Sequence, residues 1–334
     1  MRAYEIVCAD GIDALRLAER PSPEPGPGEV LVRIRASALN YRDLLTILDP
    51  ESRAVPYPRI PNSDGAGEVL AIGPGVTRFA PGNRVAGTFF QRWDDGPITA
   101  DAMASALGGA QDGVLAEEVV LAERGLVRVP PHLSFEEAAT LPCAALTAWH
   151  ALIQKGRLKA GETVLLLGTG GVSIFALQFA ALHGARPIVI SSSDAKLERA
   201  RSLGAWQTVN YRATPDWQRA VLDLTDGAGV DHVVEVGGAG TLERSIAACR
   251  IAGHIALIGV LTGGEINPTP IMRKSLTVHG IYVGSRTMFE AMNRAIAVAG
   301  LRPVIDRNFA FDDARAAYHH MQAASHFGKI VVTL

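Results

Sequence analysis

The sequence predicts an α/β protein made of a β-rich domain and a doubly wound parallel sheet, and three observations carry that expectation. An apolar run, Thr163 to Leu167, leads into Gly168-Thr169-Gly170-Gly171-Val172-Ser173, and a helical pattern starts directly behind it. Past this point strand-like and helix-like segments alternate, as a parallel sheet with crossover helices requires. Ahead of it short strands are broken by turns, and the loop lies far enough into the 334-residue chain to leave room for a separate domain.

In the first part, Glu29 to Arg35 alternates apolar and polar residues, and Gly65 to Ile72 reads as a strand ending at Gly73-Pro74-Gly75. Ala80-Pro81-Gly82-Asn83 turns the chain into Arg84 to Gly87, whereas Gln91 to Asp112 has no apolar period and is expected to be a surface excursion. Ser134 with Glu137 fits a capping box, and Pro142 suits a first helical turn. Behind the glycine loop Val172, Phe175, Ala176, Phe179, Ala180 and Leu182 recur at spacings of three and four, the stripe of a helix lying on a sheet. Strand Pro187 to Ser191, helix Asp194 to Leu203 stopped by Gly204, strand Val230 to Val236, a helix near Thr241 to Arg250 and strand His254 to Val260 continue the alternation. Thr287 with Glu290 makes a second capping-box pattern for a helix ended by Gly300, and Asn308 to Leu334 reads as strand, helix and closing strand.

Composition narrows the function. With 48% hydrophobic residues and a net charge of −2, neither nucleic acid nor an anionic membrane is an expected partner. There is no apolar run of the roughly eighteen residues a membrane span needs, and Met1-Arg2-Ala3-Tyr4-Glu5-Ile6 lacks a signal-peptide core, so a cytoplasmic protein is expected. Cys8, Cys143 and Cys249 are too few and too scattered for a disulfide framework or a C-x-x-C zinc cluster. There is no G-x-S-x-G elbow and no H-E-x-x-H pair; His319 and His320 fall on different sides of a helix, and His150 and His183 sit among apolar positions.

The glycine loop carries the chemistry. Gly168 and Gly170 lack a Cβ, so the backbone can turn sharply and approach a pyrophosphate whose charge meets the free N–H groups of the helix start. Gly168, Thr169, Gly170, Gly171 and Val172 are therefore candidate dinucleotide contacts. The next strand ends Val189-Ile190-Ser191-Ser192-Ser193, without the acid that binds adenosine ribose hydroxyls in NAD-preferring folds. Hydroxyls at Ser191 and Ser192, with Lys196 and Arg199 one turn on, suit a 2′-phosphate and hence NADPH. Asp194 is close by and weighs the other way, and a Ser-rich turn before a solvated Lys-Arg face is the bland alternative.

Five strings in order carry a wider resemblance: Pro25-Gly26-Pro27-Gly28-Glu29-Val30-Leu31-Val32, Asn40-Tyr41-Arg42-Asp43, Asn62-Ser63-Asp64-Gly65-Ala66-Gly67-Glu68-Val69, Leu141-Pro142-Cys143-Ala144-Ala145-Leu146-Thr147-Ala148, and the glycine loop. Together they resemble the medium-chain dehydrogenase/reductase superfamily over essentially the whole chain. The resemblance implies a GroES-like catalytic domain over 1–144 completed by 286–334, a Rossmann domain over 145–285, an active site in the cleft between them, and a homodimer. The dimer would form through edge strands, with Ser275 to Gly284 as the segment. It also implies that Thr147, Val236, Gly237, Ile258, Gly259, Val260 and Gly284 line the nicotinamide end, although strand-end packing explains each alone equally well. Tyr211 resembles a further phosphate contact, and Lys329 another cofactor contact or equally a solvated charge.

The departures from the family bear on the reaction. Where its zinc alcohol dehydrogenases carry cysteine and then the His-Glu of a Gly-His-Glu motif, this chain has Asn40, Ser63 and Asp64; only Cys143 falls where a zinc-coordinating residue can occur. Asparagine and serine are poor zinc donors at neutral pH, and the stretch Gln91 to Asp112 holds no cysteine for a structural zinc lobe, so no zinc is expected. Asn40 in place of the cysteine resembles the zinc-free quinone oxidoreductase branch, while other relatives with these strings are alcohol dehydrogenase-like. A quinone, or a C=C conjugated to a carbonyl, accepts hydride without a metal because its charge moves to a remote oxygen that hydrogen-bond donors can stabilise. Asn40, Tyr41, Ser63 and Asp64 are the candidate catalytic residues, with Tyr41 or water as proton source. Their bland readings are backbone binding by Asn40, packing of Tyr41, and pairing of Asp43 with Arg42 or Arg59. The expected activity is NADPH-dependent, zinc-independent reduction of quinones or α,β-unsaturated carbonyls, against a metal-free alcohol or ketone oxidoreductase or an idle nucleotide-binding protein.

Overall fold

A computed structural model describes residues 1–259 and 261–334. They form two compact units, Met1–Leu146 with Val283–Leu334, and Thr147–Tyr282. The strands are β1 (Arg2–Glu5), β2 (Arg16–Glu19), β3 (Glu29–Ala38), β4 (Asp64–Ile72), β5 (Arg84–Gly87), β6 (Glu118–Ala122), β7 (Leu126–Arg128), β8 (Thr163–Leu167), β9 (Arg186–Ser191), β10 (Gln207–Asn210), β11 (Val230–Glu235), β12 (Cys249–Leu257), β13 (Thr277–Gly280), β14 (Ile305–Ala310) and β15 (Lys329–Thr333).

In the first unit the alternating segment becomes β3, which pairs antiparallel with β4, β6 and β15, and the sheet runs β14-β15-β3-β4-β5-β7. Its inward residues Val30, Val32, Ile34, Val69 and Val85 share a core with Ile330, Val332 and Tyr318 from the tail. Gly67 lies where β3 and β4 nearly touch, since a Cβ there would sit 1.9 Å from the Arg33 carbonyl oxygen. The tail thus closes the sheet of the first unit, with Lys329 at the start of β15.

Two local expectations are corrected here. Gln91 to Asp112 is not a surface excursion: Gln91, Trp93, Ala102, Ser105, Ala106 and Leu107 are buried. A short helix, Ala100–Met103, capped by Thr99 Oγ1, folds the segment back, and Gln91 Nε2 donates to the carbonyls of Thr88 and Gly125. The segment is loop apart from that one short helix, so no strand or helix period records its burial. The helix expected to open with a Thr287–Glu290 box instead spans Arg286–Ala299, with Ser285 Oγ accepting the Met288 N–H. Thr287 Oγ1 reaches Asp95, and Glu290 accepts from Arg78 and Arg286. Gly300 closes that helix in the left-handed region at φ 61°, as the sequence predicts.

The second unit is a six-stranded sheet in the order β10-β9-β8-β11-β12-β13, parallel throughout. Numbered from β8, the order is the 3-2-1-4-5-6 of a Rossmann fold, and it reverses between β8 and β11. All five residues of β8 are buried, as befits a strand covered on both faces. Helices Gly171–Leu182, Asp194–Ser202 and Ala239–Ala248 follow β8, β9 and β11 in turn. Strand β12 begins earlier than the sequence reading has it, at Cys249, because Val230 pairs with it across a register shift.

Candidate active site

In the first unit, four sequence-distant segments meet in one buried polar cluster. Asn40 precedes helix Tyr41–Leu48 in extended backbone, and Asp43 Oδ2 accepts its N–H at 2.9 Å, so this end of the helix is locally determined. Lys329 Nζ, from the start of β15, donates to Asn40 Oδ1 at 2.6 Å and to the Leu39 carbonyl at 2.5 Å. Asn40 Nδ2 donates to Ser63 Oγ at 3.3 Å, Ser63 Oγ donates to Asp64 Oδ1 at 2.7 Å, and the Cys143 N–H donates to Asp64 Oδ2 at 3.0 Å. Beside it Tyr318 hydroxyl donates to Asn62 Oδ1, Asn62 Nδ2 donates to Ser37 Oγ, and Ser37 Oγ donates to the Asp64 carbonyl. All of these side chains except that of Cys143, which is partly exposed, are buried.

The charges in the cluster are paired because they are dry. Burial pushes the Asp64 carboxyl up from the ordinary range, opposed by the Lys329 ammonium and the bonds from Ser63 and Asn40. Burial likewise lifts Asp43 to about 6, against the pull of Arg42, whose guanidinium lies 3.2 Å away. Arg59 pairs with Asp112 instead, so of the two partners open for Asp43 the structure has Arg42. Tyr41 is 47% exposed and therefore not a packed aromatic.

These donors do not fit a zinc ion. Asn40 Oδ1 faces an ammonium, both Asp64 oxygens already accept hydrogen bonds, and Ser63 is a neutral hydroxyl. Among the described residues no group of three or more His, Cys, Asp or Glu could hold a metal.

In the second unit the glycine loop lies at the C-terminal end of β8, at the point where strand order reverses. Gly168 has φ 73°, a conformation favouring glycine, and a Cβ at Gly168 or Gly170 would meet nothing within 4 Å. Open space in front of the first turn of helix Gly171–Leu182, whose N–H groups have no intrahelical acceptor, fits a dinucleotide pyrophosphate. Ser173 donates to the Leu167 carbonyl at 2.6 Å, so its hydroxyl ties helix to strand.

Thr169, Gly171 and Val172 continue this loop and helix start, and Thr147 opens the unit on helix Leu146–Trp149. Ser191 ends β9 opposite Asn210, and the Tyr211 N–H donates to the Ser191 carbonyl, which brings Ser191, Ser192 and Tyr211 to one strand end. Lys196 lies on the following helix, whose N-cap Ser193 accepts its N–H. The Asp194 carboxylate is engaged by Asn210 Nδ2 at 2.7 Å. Val236 and Gly237 follow β11 and meet Ile258 and Gly259, where a Cβ on Gly259 would sit 1.7 Å from the Val236 carbonyl oxygen. Val260 lies outside the described residues. Gly284 and Lys329 belong to the first unit, Gly284 against Leu146 and Lys329 on Asn40.

One organising residue escaped the sequence reading. Glu235, fully buried, accepts from the N–H groups of Gly237 and Gly238 and from Thr241 Oγ1 through Oε1, and from Ser245 Oγ through Oε2. It fixes the turn after β11. An acid inside Val-Val-Glu-Val ahead of two glycines was the available signal.

A dinucleotide fold and a GroES-like domain in one chain define an NAD(P)-dependent oxidoreductase. Residues 26–131 match the alcohol dehydrogenase GroES-like domain and residues 171–297 the zinc-binding dehydrogenase family. The chain is 43% identical over 97% of its length, and 96% of the relative, to a zinc-type alcohol dehydrogenase-like protein of Schizosaccharomyces pombe. It is 32% identical to a quinone oxidoreductase of Pseudomonas aeruginosa over 96% of each chain. A solved NAD-dependent alcohol dehydrogenase superposes with TM-score 0.92 at 36% identity over 100% of both chains. More distant relatives include an acryloyl-coenzyme A reductase of Metallosphaera sedula, 27% identical over 94% of this chain and 95% of that one. A mycobacterial protein solved with NADPH is 25% identical, with TM-score 0.84 over 100% of both chains. The chain belongs to the medium-chain dehydrogenase/reductase superfamily.

Proposed function

We propose that the protein reduces quinones or α,β-unsaturated carbonyls with NADPH and without zinc. One observation carries the reading: Asn40, Ser63 and Asp64, which by the family resemblance stand where zinc relatives hold their metal, form a cluster tied to the Lys329 ammonium. Removing hydride from an alcohol also requires its proton to leave, which zinc assists by holding the alkoxide. Hydride addition to a conjugated acceptor asks only for hydrogen-bond donors near the remote oxygen, which an asparagine amide supplies. NADPH supplies the hydride when bound. The chain's own part is to orient it through Gly168 to Val172, Ser191, Ser192, Lys196 and Tyr211, and to hold the acceptor against it with water excluded.

For the 2′-phosphate, Ser191 stands in place of the ribose-binding acid, and the nearby Asp194 carboxylate is already bonded to Asn210. Names among the relatives, a quinone oxidoreductase and an acryloyl-coenzyme A reductase, agree with a conjugated acceptor. A second reading, a metal-free alcohol or ketone oxidoreductase using NAD, rests on the likeness to the solved NAD-dependent alcohol dehydrogenase. Catalytic Tyr41 fits either, being exposed and beside Asn40. The protein is further proposed to be a cytoplasmic homodimer that pairs through β13, an edge of the six-stranded sheet. No helix of the described residues is long and apolar enough to cross a membrane. A panel of quinones, enones and ketones assayed with NADPH and NADH tests the reading. Oxidation of NADPH by quinones or enones is the expected outcome; turnover of alcohols and ketones only, or binding without turnover, would overturn it.

A further inference from the structure

We infer that Glu235 is a positioning residue for the nicotinamide half of the cofactor, an internal carboxylate that shapes the turn on which that half rests. The inference deepens the proposed cofactor reading and rests on it. The sheet order puts β8 and β11 on either side of the reversal, and a dinucleotide in such a fold lies across the carboxyl ends of the strands there. Ser191, Ser192 and Tyr211 stand at the ends of β9 and β10, the adenosine side of the proposed site. The glycine loop after β8 takes the pyrophosphate, so the remaining half of the cofactor extends over the ends of β11 and β12.

Both strands at the reversal run into a glycine turn and then a helix, but the two turns are completed differently. After β8, open space lies in front of Gly168 and Gly170. After β11, the turn amides close on the chain's own carboxylate: Glu235 Oε1 accepts the Gly237 N–H at 2.7 Å and the Gly238 N–H at 3.1 Å. Thr241 Oγ1 lies 2.7 Å from the same oxygen, and Oε2 accepts from Ser245 Oγ. An N–H can only donate, so the turn depends on an acceptor at this point. Gly238 has φ 94°, and a Cβ on Gly237 would sit 2.3 Å from Thr241 Oγ1, so glycines are what let both amides face the carboxylate. The Glu235 carbonyl extends the hold to the next strand, accepting the Ile258 N–H at 2.9 Å and the Gly259 N–H at 3.1 Å. One buried residue thus sets the ends of β11 and β12 together. With their amides turned inward, Gly237 and Gly238 offer the cofactor a fixed surface and no phosphate donor, which leaves the β8 loop as the anion site of the pair.

The test compares Glu235→Ala, Glu235→Gln and Thr241→Val with wild type in the binding of NADPH and of 2′,5′-ADP, which carries only the adenosine half. Glu235→Ala should weaken NADPH by about 10-fold, the worth of one hydrogen bond at the nicotinamide end, and leave 2′,5′-ADP within about 2-fold. The emission anisotropy of bound NADPH, which reports how firmly the nicotinamide is held, should fall. Turnover with 1,4-naphthoquinone should drop by about 100-fold, the cost of a misplaced reacting group. Glu235→Gln keeps an oxygen for both amides and should stay within about 3-fold of wild type in every readout. Thr241→Val removes one donor while keeping the side-chain shape, and should weaken NADPH by about 3-fold and spare 2′,5′-ADP. That variant carries the test should Glu235→Ala not fold.

If wild type binds NADPH but turns over none of the proposed acceptors, the reductase reading fails while affinity and anisotropy still decide the role of Glu235. A wild type that binds neither NADPH nor 2′,5′-ADP overturns the cofactor reading and this inference with it. Three results overturn the inference alone: an NADPH affinity unchanged in Glu235→Ala, a loss shared equally by 2′,5′-ADP, or a Glu235→Gln variant as impaired as Glu235→Ala.

Discussion

The two candidate functional regions, one in each unit, are built from different materials. At the end of β8 the nucleotide end is made from backbone: a glycine with φ 73°, open space at Gly168 and Gly170, and the N–H groups of a helix start. The Asn40 cluster is made from side chains of four segments, ordered by which group can donate and which can accept. A backbone site tolerates side-chain change but not an added Cβ, whereas a polar network tolerates shape change but not the loss of one donor. The two regions should therefore fail in opposite ways.

The sharpest break is Asn40→Leu. It should cost about 100- to 1000-fold in kcat, as loss of an oxyanion donor does, with NADPH affinity unchanged by fluorescence titration. Gly170→Ala should do the reverse, weakening NADPH binding by about 10-fold or more because a methyl enters the space left for the pyrophosphate. Its melting midpoint should move only by the roughly 1 kcal/mol that alanine costs at an N-cap. Equal effects of the two variants on binding and turnover would erase the distinction.

A third comparison lies within the second unit, where burial holds one imidazole, that of His254, neutral. His232, His254 and His279 form a chain on β11, β12 and β13, at 3.4 Å and 3.0 Å, with Glu162 on His232 at 2.9 Å. Burial, then the neighbouring His232 and His279, hold His254 down at about 4 from an ordinary 6.5. Between these values the unfolded chain binds the proton that the folded chain refuses. Stability should be fully present above about pH 6.5 and fall by up to about 3 kcal/mol as the pH drops toward 4. Urea unfolding of wild type and His254→Phe across this window measures it, and an equal pH slope in both would remove the imidazole chain as the cause. Smaller still, Ser173→Ala should cost about 1 kcal/mol, one buried hydrogen bond to the Leu167 carbonyl, and leave turnover intact. Chemical denaturation with a parallel assay reads both.

Legibility in the sequence divides along the same line. The glycine loop, the capping box at Ser134 and the strand–helix alternation were readable because glycine placement, caps and periodicity are local properties. The strand order was not legible, because right-handed crossovers allow more than one doubly wound order for the same alternation. The Lys329–Asn40 bond joins residues 289 apart in sequence, and no local pattern records it. The Thr287 motif misled because Ser285, two residues earlier, offered the same capping chemistry to a helix that starts sooner. Gln91 to Asp112 misled because it is buried while being mostly loop, which leaves no period to read. Ser191 was legible as a missing acid, while the bond that occupies Asp194 depends on Asn210 from the adjacent strand.

Metal content and turnover measured on one sample address the zinc-free chemistry most directly. After dialysis against a chelator the protein should hold well under the roughly one zinc per chain of a metal-dependent site, and still oxidise NADPH with 1,4-naphthoquinone at its undialysed rate. Activity lost on chelation and restored by zinc at about one ion per chain would contradict it.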